Sequence, residues 1–172
     1  MKPTKSEYMI IKKSRIHNNG AFAKKDIPKS TRIIEYVGEI VAAGEGTKRS
    51  EAQFEKAAKN HLIGQEYVFE LDKKQDIDGS PLWNTARYIN HSCTPNCRIE
   101  IKNDHIWIIS KRKILKGEEL YYDYGYDHEE YYEHPCKCGT KNCTGYIVGA
   151  DYKKRFFKLL AKDRKSKSKK KK

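Results

Sequence analysis

The chain has 172 residues, of which 37% are hydrophobic, and this bounds it to one ordinary domain with a modest core. No window of about eighteen apolar residues exists, so nothing in the sequence reads as a membrane-spanning helix, and Met1 to Lys5 lacks an apolar stretch of signal-peptide type, which leaves the expectation of a reducing, intracellular compartment. Five cysteines, an odd count, argue against a closed disulfide framework. The net charge is +13, but Lys153 to Lys172 holds twelve Lys or Arg against one acid, Asp163, so about +11 sits in that segment. A charge run of this kind suits an acidic partner such as nucleic acid, or a solvated, disordered end.

Tyr8 to Lys12 reads as a strand, followed by a turn at His17-Asn18-Asn19-Gly20, where Asn and Gly tolerate positive φ. Ile27 to Ser30 is a second turn. Ile33 to Val37 is β-branched and aromatic, hence a strand, with Gly38 placed for a bulge. Ser50-Glu51-Ala52-Gln53 has the form of a capping box, and Phe54, Ala57, Ala58 and Leu62 follow at helical spacing, which predicts a helix from Glu51 to about His61. Alternation over Tyr67, Phe69 and Leu71 predicts a strand from Glu66 to Leu71. Ile99 and Ile101 alternate and His105 to Ser110 is nearly all apolar, so a hairpin turns at Lys102-Asn103-Asp104. Leu120 to Tyr124 is a further strand. Asp151 is placed to cap a helix with Tyr152, Phe156, Leu159 and Leu160 on one face, and beyond Ala161 the low-complexity sequence predicts no fixed structure.

Two clusters carry chemistry. Cys136, Cys138 and Cys143 place three thiols within eight residues, with Gly139 and Gly145 allowing tight backbone turns. Three thiolates and a fourth ligand brought in by the fold would form a tetrahedral zinc site, with Cys93, Cys97 and His134 as candidates for the fourth. Four thiolates leave no open coordination position, so such a zinc is structural. The second cluster pairs the polar loop Arg87-Tyr88-Ile89-Asn90-His91-Ser92-Cys93-Thr94-Pro95-Asn96-Cys97 with the tyrosine-rich run Gly117 to Tyr126. In a strand, Tyr122 and Tyr124 share a face and Tyr121 takes the other, so two hydroxyls line one narrow slot.

The arrangement resembles the SET-domain protein-lysine methyltransferases over about Tyr8 to Gly145. It carries in order Ser14 to Ala23, Ile34 to Ile40, Arg87 to Cys97, Gly117 to Gly125 and a cysteine-rich end of the post-SET type. The resemblance implies a mainly β fold with few helices, of the β-clip-like SET type, with small sheets, a pseudoknot-like C-terminal threading and a post-SET zinc segment. It divides the chain into a SET domain over 6–130, a zinc segment over 131–148 and a basic helix with a disordered Lys-rich tail over 149–172. It implies S-adenosylmethionine as methyl donor and a protein lysine as acceptor, in a histone or other basic protein, with the chain acting as a monomer.

By the same resemblance Tyr124 is the catalytic tyrosine, Tyr122 helps set how many methyls are added, and Tyr67 lies near cofactor and lysine. His17, Asn18, Asn19 and Gly20 fall on the cofactor-cradling turn, with Asn18 where the family has a glycine. Asn90 and His91 hold the cofactor, Arg87 joins them, and Lys137 touches it. The zinc ligands become Cys93, Cys136, Cys138 and Cys143, leaving Cys97 a free thiol. The resemblance departs from the family in lacking a cysteine-rich pre-SET segment and in its short insert between Val41 and Glu66. The location it implies is nucleus or chromosome in a eukaryote, cytoplasm or nucleoid in a bacterium.

Overall fold

The computed structural model describes residues 2–59, 66–129 and 131–169. Among these, ten short strands and two α-helices form small sheets and fall into two compact units, residues 1–90 with 96–122, and residues 91–95 with 123–172.

The first unit opens with β1 (Met9–Lys13) antiparallel to β2 (Asn19–Ala23), Lys13 facing Asn19 across the turn. The Ser14 N–H donates to the Asn18 carbonyl at 3.0 Å, and Asn18 takes φ of 32°. The left-handed conformation expected of Asn18 in a glycine's place is therefore present. β3 (Arg32–Tyr36) pairs with β9 (His105–Ser110), which pairs with β8 (Cys97–Lys102). The hairpin turn between β8 and β9 lies where its sequence put it, because Asn103 and Asp104 both accept positive φ, 50° and 62°. This sheet buries Ile33, Ile34, Tyr36, Ile106 and Ile108, each such side chain stabilising by roughly 1.5–3 kcal/mol.

A third sheet orders β4 (Glu39–Ala42), β6 (Gln75–Asp78) and β5 (Val68–Glu70). Neither β2, β4 nor β6 was predicted. β6 hides its alternation because its inward residues include Asp76 and Asp78, both buried. The expected strand over Glu66 to Leu71 contracts to β5. Gly38 makes no bulge. It sits where a Cβ would meet the Asp78 carbonyl at 2.2 Å, so it permits a close backbone approach.

The helix α1 runs Ala43–Lys59, eight residues earlier than its predicted start. Ser50 is therefore inside it and caps nothing. Its hydroxyl bonds the Glu66 carboxylate instead. The helix begins directly off β4, where the Ala43 N–H is already satisfied by the Lys74 carbonyl at 3.0 Å. The predicted end at His61, and Leu62, lie outside the described residues. A last small pairing joins β7 (Asn90–His91) and β10 (Tyr121–Tyr122).

The second unit has its own small core of Tyr131, Val148 and Phe156, with Tyr146, Tyr152, Leu159 and Leu160 packed around it. The apolar face predicted for the C-terminal helix is thus the buried one. The helix α2 spans Lys153–Lys169 behind a 3-10 turn at Ala150–Tyr152. Asp151 lies within that turn and caps nothing, since Gly149 precedes it without a side-chain cap. The unstructured segment expected beyond Ala161 is helical to Lys169, because Lys and Arg are good helix formers and no Gly or Pro stops propagation.

Candidate active site and metal centre

In the first unit, Asn90 is the hub. It is buried, and its side-chain amide donates to the Asn19 carbonyl at 3.2 Å and to Glu119 Oε1 at 2.9 Å. The same Glu119 carboxylate accepts from the Tyr121 hydroxyl at 3.0 Å. Asn96 closes the group: its amide donates to the Glu119 carbonyl at 2.8 Å and its Oδ1 accepts from the Tyr121 N–H at 2.8 Å. The fold therefore brings the Asn18–Gly20 turn and Asn90 together. A Cβ at Gly20 would fall 2.2 Å from Glu119 Oε1, so a larger residue there would displace the carboxylate that Asn90 holds. Glu119 was missed in the sequence. Only its place in a Gly-Glu-Glu run pointed to it. His17 lies half-buried in the same turn and Asn18 is exposed.

The aromatic wall of this unit is built from Tyr36, Tyr67, Phe69 and Tyr122. The Tyr36 hydroxyl donates to the Tyr67 carbonyl at 2.8 Å. The Phe69 ring meets Tyr36 edge-on at 4.7 Å and Tyr122 at 5.9 Å. Tyr122 is buried. The Arg87 guanidinium lies 4.2 Å from the Tyr67 ring centroid, a cation–π contact. Its Nε is buried with no hydrogen-bond partner among the described residues, an orphaned donor of the sort a bound anionic or carbonyl group would satisfy.

In the second unit, His91 and Tyr124 are neighbours. The Tyr124 N–H donates to His91 Nδ1 at 3.3 Å, and the two rings meet edge-on at 5.4 Å. Nδ1 thus accepts and the ring is neutral. Burial first, and the Lys153 ammonium second, bring His91 down to about 4 against the opposing pull of Asp123. Asp123 braces the backbone on both sides of this pair. Its Oδ1 accepts from the Gly125 N–H at 3.1 Å and its Oδ2 from the Ala150 N–H at 2.9 Å. The structural role expected of Asp123 fits this geometry. The strand expected over Leu120 to Tyr124 stops at Tyr122, however, so shared strand facing does not place Tyr122 and Tyr124. Further on, Gly125 and Gly149 pass closely, since a Cβ on Gly149 would fall 2.9 Å from the Gly125 backbone.

The thiols of Cys93, Cys136, Cys138 and Cys143 lie within 4.8 Å of one another, Cys93 being 3.8 Å from Cys136 and 4.0 Å from Cys143. Zinc–sulfur bonds of about 2.3 Å in a tetrahedron require sulfur–sulfur edges of about 3.8 Å, so the set fits a divalent cation. Burial pushes the Cys136 and Cys143 thiols up. Burial also opposes ionisation of Cys138, but hydrogen bonding to Thr140 and the Cys93 backbone outweighs it and brings Cys138 down to about 6. Four thiolates this close repel one another, and a cation removes that penalty. The other two candidates for the fourth ligand stand apart. Cys97 is fully buried at the start of β8, its thiol donating to Asn96 Oδ1 at 3.5 Å and pushed up to about 12 by burial. His134 packs its ring on Tyr126 at 4.6 Å. Lys137 is exposed between two of the cysteines.

Comparison with known proteins agrees with this geometry. The SET domain model matches residues 18–125. The chain is similar to "Histone-lysine N-methyltransferase trr" of Drosophila melanogaster, 43% identical over 144 residues, which is 81% of this chain and 6% of the relative. It is similar to "Histone-lysine N-methyltransferase 2D" of Homo sapiens, 44% identical over 144 residues, 81% of this chain and 2% of the relative. It is also similar to "Histone-lysine N-methyltransferase, H3 lysine-4 specific" of Schizosaccharomyces pombe, 42% identical over 139 residues, 78% of this chain and 14% of the relative. The chain thus spans only a small part of the relatives it matches. With small β-sheets around the Asn90 hub, Tyr122 and Tyr124 at the end of the matched region and three cysteines beyond it that join Cys93 in one cluster, the chain belongs to the SET-domain family.

Proposed function

We propose that the chain is an S-adenosylmethionine-dependent protein-lysine N-methyltransferase. The observation that carries this reading is that one SET-domain match contains both the Asn90-His91 loop and the Tyr122–Tyr124 segment. Its substrate is a lysine of a histone or other basic protein, supported by the names of the relatives, and its place is chromatin. The Lys-rich C-terminal segment adds an acidic partner. The functional limits are a SET domain over 6–130, a zinc segment over 131–148 and the basic region over 149–172.

S-adenosylmethionine, when bound, supplies a methyl group already activated on a sulfonium. His17, Asn18, Asn19, Gly20, Tyr67, Arg87, Asn90, His91 and Lys137 are the residues that would hold it. The linkage of Asn90 to the Asn19 carbonyl and the orphaned Arg87 Nε support that assignment.

The chain's own task is to present lysine uncharged and aligned. A free lysine, with a pKa of about 10.4, is neutral in about one molecule in a thousand near neutral pH, a deficit of roughly 4 kcal/mol. An aromatic wall of Tyr67, Phe69 and Tyr122 raises the energy of the charged form by desolvation. Tyr124, held through its backbone by His91 and with Asp123 bracing the segment, orients the amine and acts as no strong base. Cys93, Cys136, Cys138 and Cys143 would hold a structural zinc, with no open position for catalysis.

Calorimetry with S-adenosylmethionine, paired with methyl incorporation into core histones, tests this reading. Binding by the zinc-loaded chain and a Tyr124→Phe variant that binds but does not transfer are expected. A folded, zinc-loaded chain that binds no S-adenosylmethionine would leave a SET fold serving only as a zinc-stabilised nucleic-acid or protein-binding module.

A further inference from the structure

A helix is expected up to about Ala161, with the cations beyond it on an unstructured end; α2 instead continues to Lys169, and a helix separates what a disordered chain would mix. Phe156 is fully buried and Leu159 and Leu160 pack beside it. At 100° per residue, Lys154, Arg155, Lys158 and Lys162 fall within an arc of about 100° on the opposite side of the helix. All four are exposed, and none forms an ion pair with a described residue.

Two other charges of this stretch, Asp163 and Lys153, turn inward. Asp163, the one acid between Lys153 and Lys172, accepts a hydrogen bond from the Tyr131 hydroxyl at 2.7 Å on the packed face. Lys153 donates to the Cys93 carbonyl at 3.3 Å. The outer face therefore carries cations with no acid among them, on a helix pinned by its core contacts.

We infer that this face of α2 is a docking surface for duplex nucleic acid, read through its phosphates and without sequence preference. The inference rests on the acidic-partner reading and names its class and its residues. The stripe from Lys154 to Lys162 is about 12 Å long, which spans about three to four phosphates of one strand. Three lysines and one arginine spread along the stripe suit phosphate oxygens, the contacts that position a protein on a duplex. A preordered helix loses little conformational entropy on docking, unlike a flexible polycation.

The test measures binding of a short mixed-sequence DNA duplex to the full zinc-loaded chain across a salt series. The variant carrying Lys154→Gln, Arg155→Gln, Lys158→Gln and Lys162→Gln is compared with one in which Lys169, Lys170, Lys171 and Lys172 become Gln. Circular dichroism and zinc content check that both fold. Four lost phosphate contacts should flatten the logarithmic salt slope by about 3 to 4 and weaken binding at moderate salt by roughly tenfold or more. The second variant should change the slope less. If instead only the second variant loses binding, the helix face is not the docking surface. Binding of phosphatidylserine vesicles or a poly-glutamate peptide in preference to the duplex would also overturn it. The methylation reading fails separately: the first variant should methylate a short lysine peptide as the wild type does.

Discussion

The Cys93 and Cys136 thiols lie 3.8 Å apart although 43 positions separate them in the chain. This one contact ties the loop that carries His91 to the cysteine-rich end, and His91 in turn holds the Tyr124 backbone. Metal content and cofactor binding are therefore expected to change together. Cys93→Ser should lose zinc, and it should weaken S-adenosylmethionine binding at the same time. Elemental analysis for zinc beside calorimetry checks this. A zinc-free variant with undiminished methyl transfer would break the link.

Tyr122 is buried and its ring lies 5.9 Å from that of Phe69; under the proposed function its hydroxyl would take room that further methyl groups need. The wild type should add one or two methyl groups to its lysine. Tyr122→Phe should shift the product toward higher methylation. Mass spectrometry of the product lysine reads both, and a wild type that makes mainly trimethyl-lysine would sink the assignment.

Asp78 anchors α1 to the β4–β6–β5 sheet. It accepts from Gln53 Nε2 at 3.0 Å, Arg49 Nη1 at 3.0 Å and the Ser80 N–H at 2.9 Å. Burial raises its pKa, but these hydrogen bonds outweigh burial and hold the carboxyl below its ordinary value. A depressed carboxylate stabilises the fold fully above its unfolded pKa of about 3.9, and that contribution is lost as pH falls through the lower folded value. Asp78→Asn should cost about 1.5–3 kcal/mol at neutral pH. The gap from wild type should narrow in acid. Urea midpoints across pH measure it, and a gap that widens on acidification would contradict the sign.

Phe156 and Tyr131 carry α2. Phe156→Ala should destabilise the second unit by about 3–5 kcal/mol, and amide exchange should speed up along α2. Tyr131→Phe keeps the ring and removes the hydroxyl that donates to Asp163, and should cost about 1 kcal/mol. Hydrogen exchange followed by mass spectrometry separates the two. Equal effects would mean that the ring packing contributes nothing beyond the hydroxyl.

Much was legible in the residues alone. The strand at Met9–Lys13, the β8–β9 hairpin and the left-handed Asn18 follow from local rules, because alternation and turn chemistry act over a few residues. The order Arg87 to Cys97, then Gly117 to Gly125, then three cysteines carried the family. Tertiary structure decided the rest. Spacing could not choose among Cys93, Cys97 and His134, since a ligand is selected by distance in space, and only Cys93 joins the other three thiols. The role of Glu119 was hidden because it depends on partners at Asn90 and Tyr121. β6 was hidden because buried Asp76 and Asp78 erase the apolar period that marks a strand, and the true start of α1 because the Ala43 N–H is satisfied by the distant Lys74 carbonyl and not by a local cap. The end beyond Ala161 carries no apolar period and so reads as shapeless, yet α2, seated by Phe156 against Tyr131 and Val148, propagates through it to Lys169.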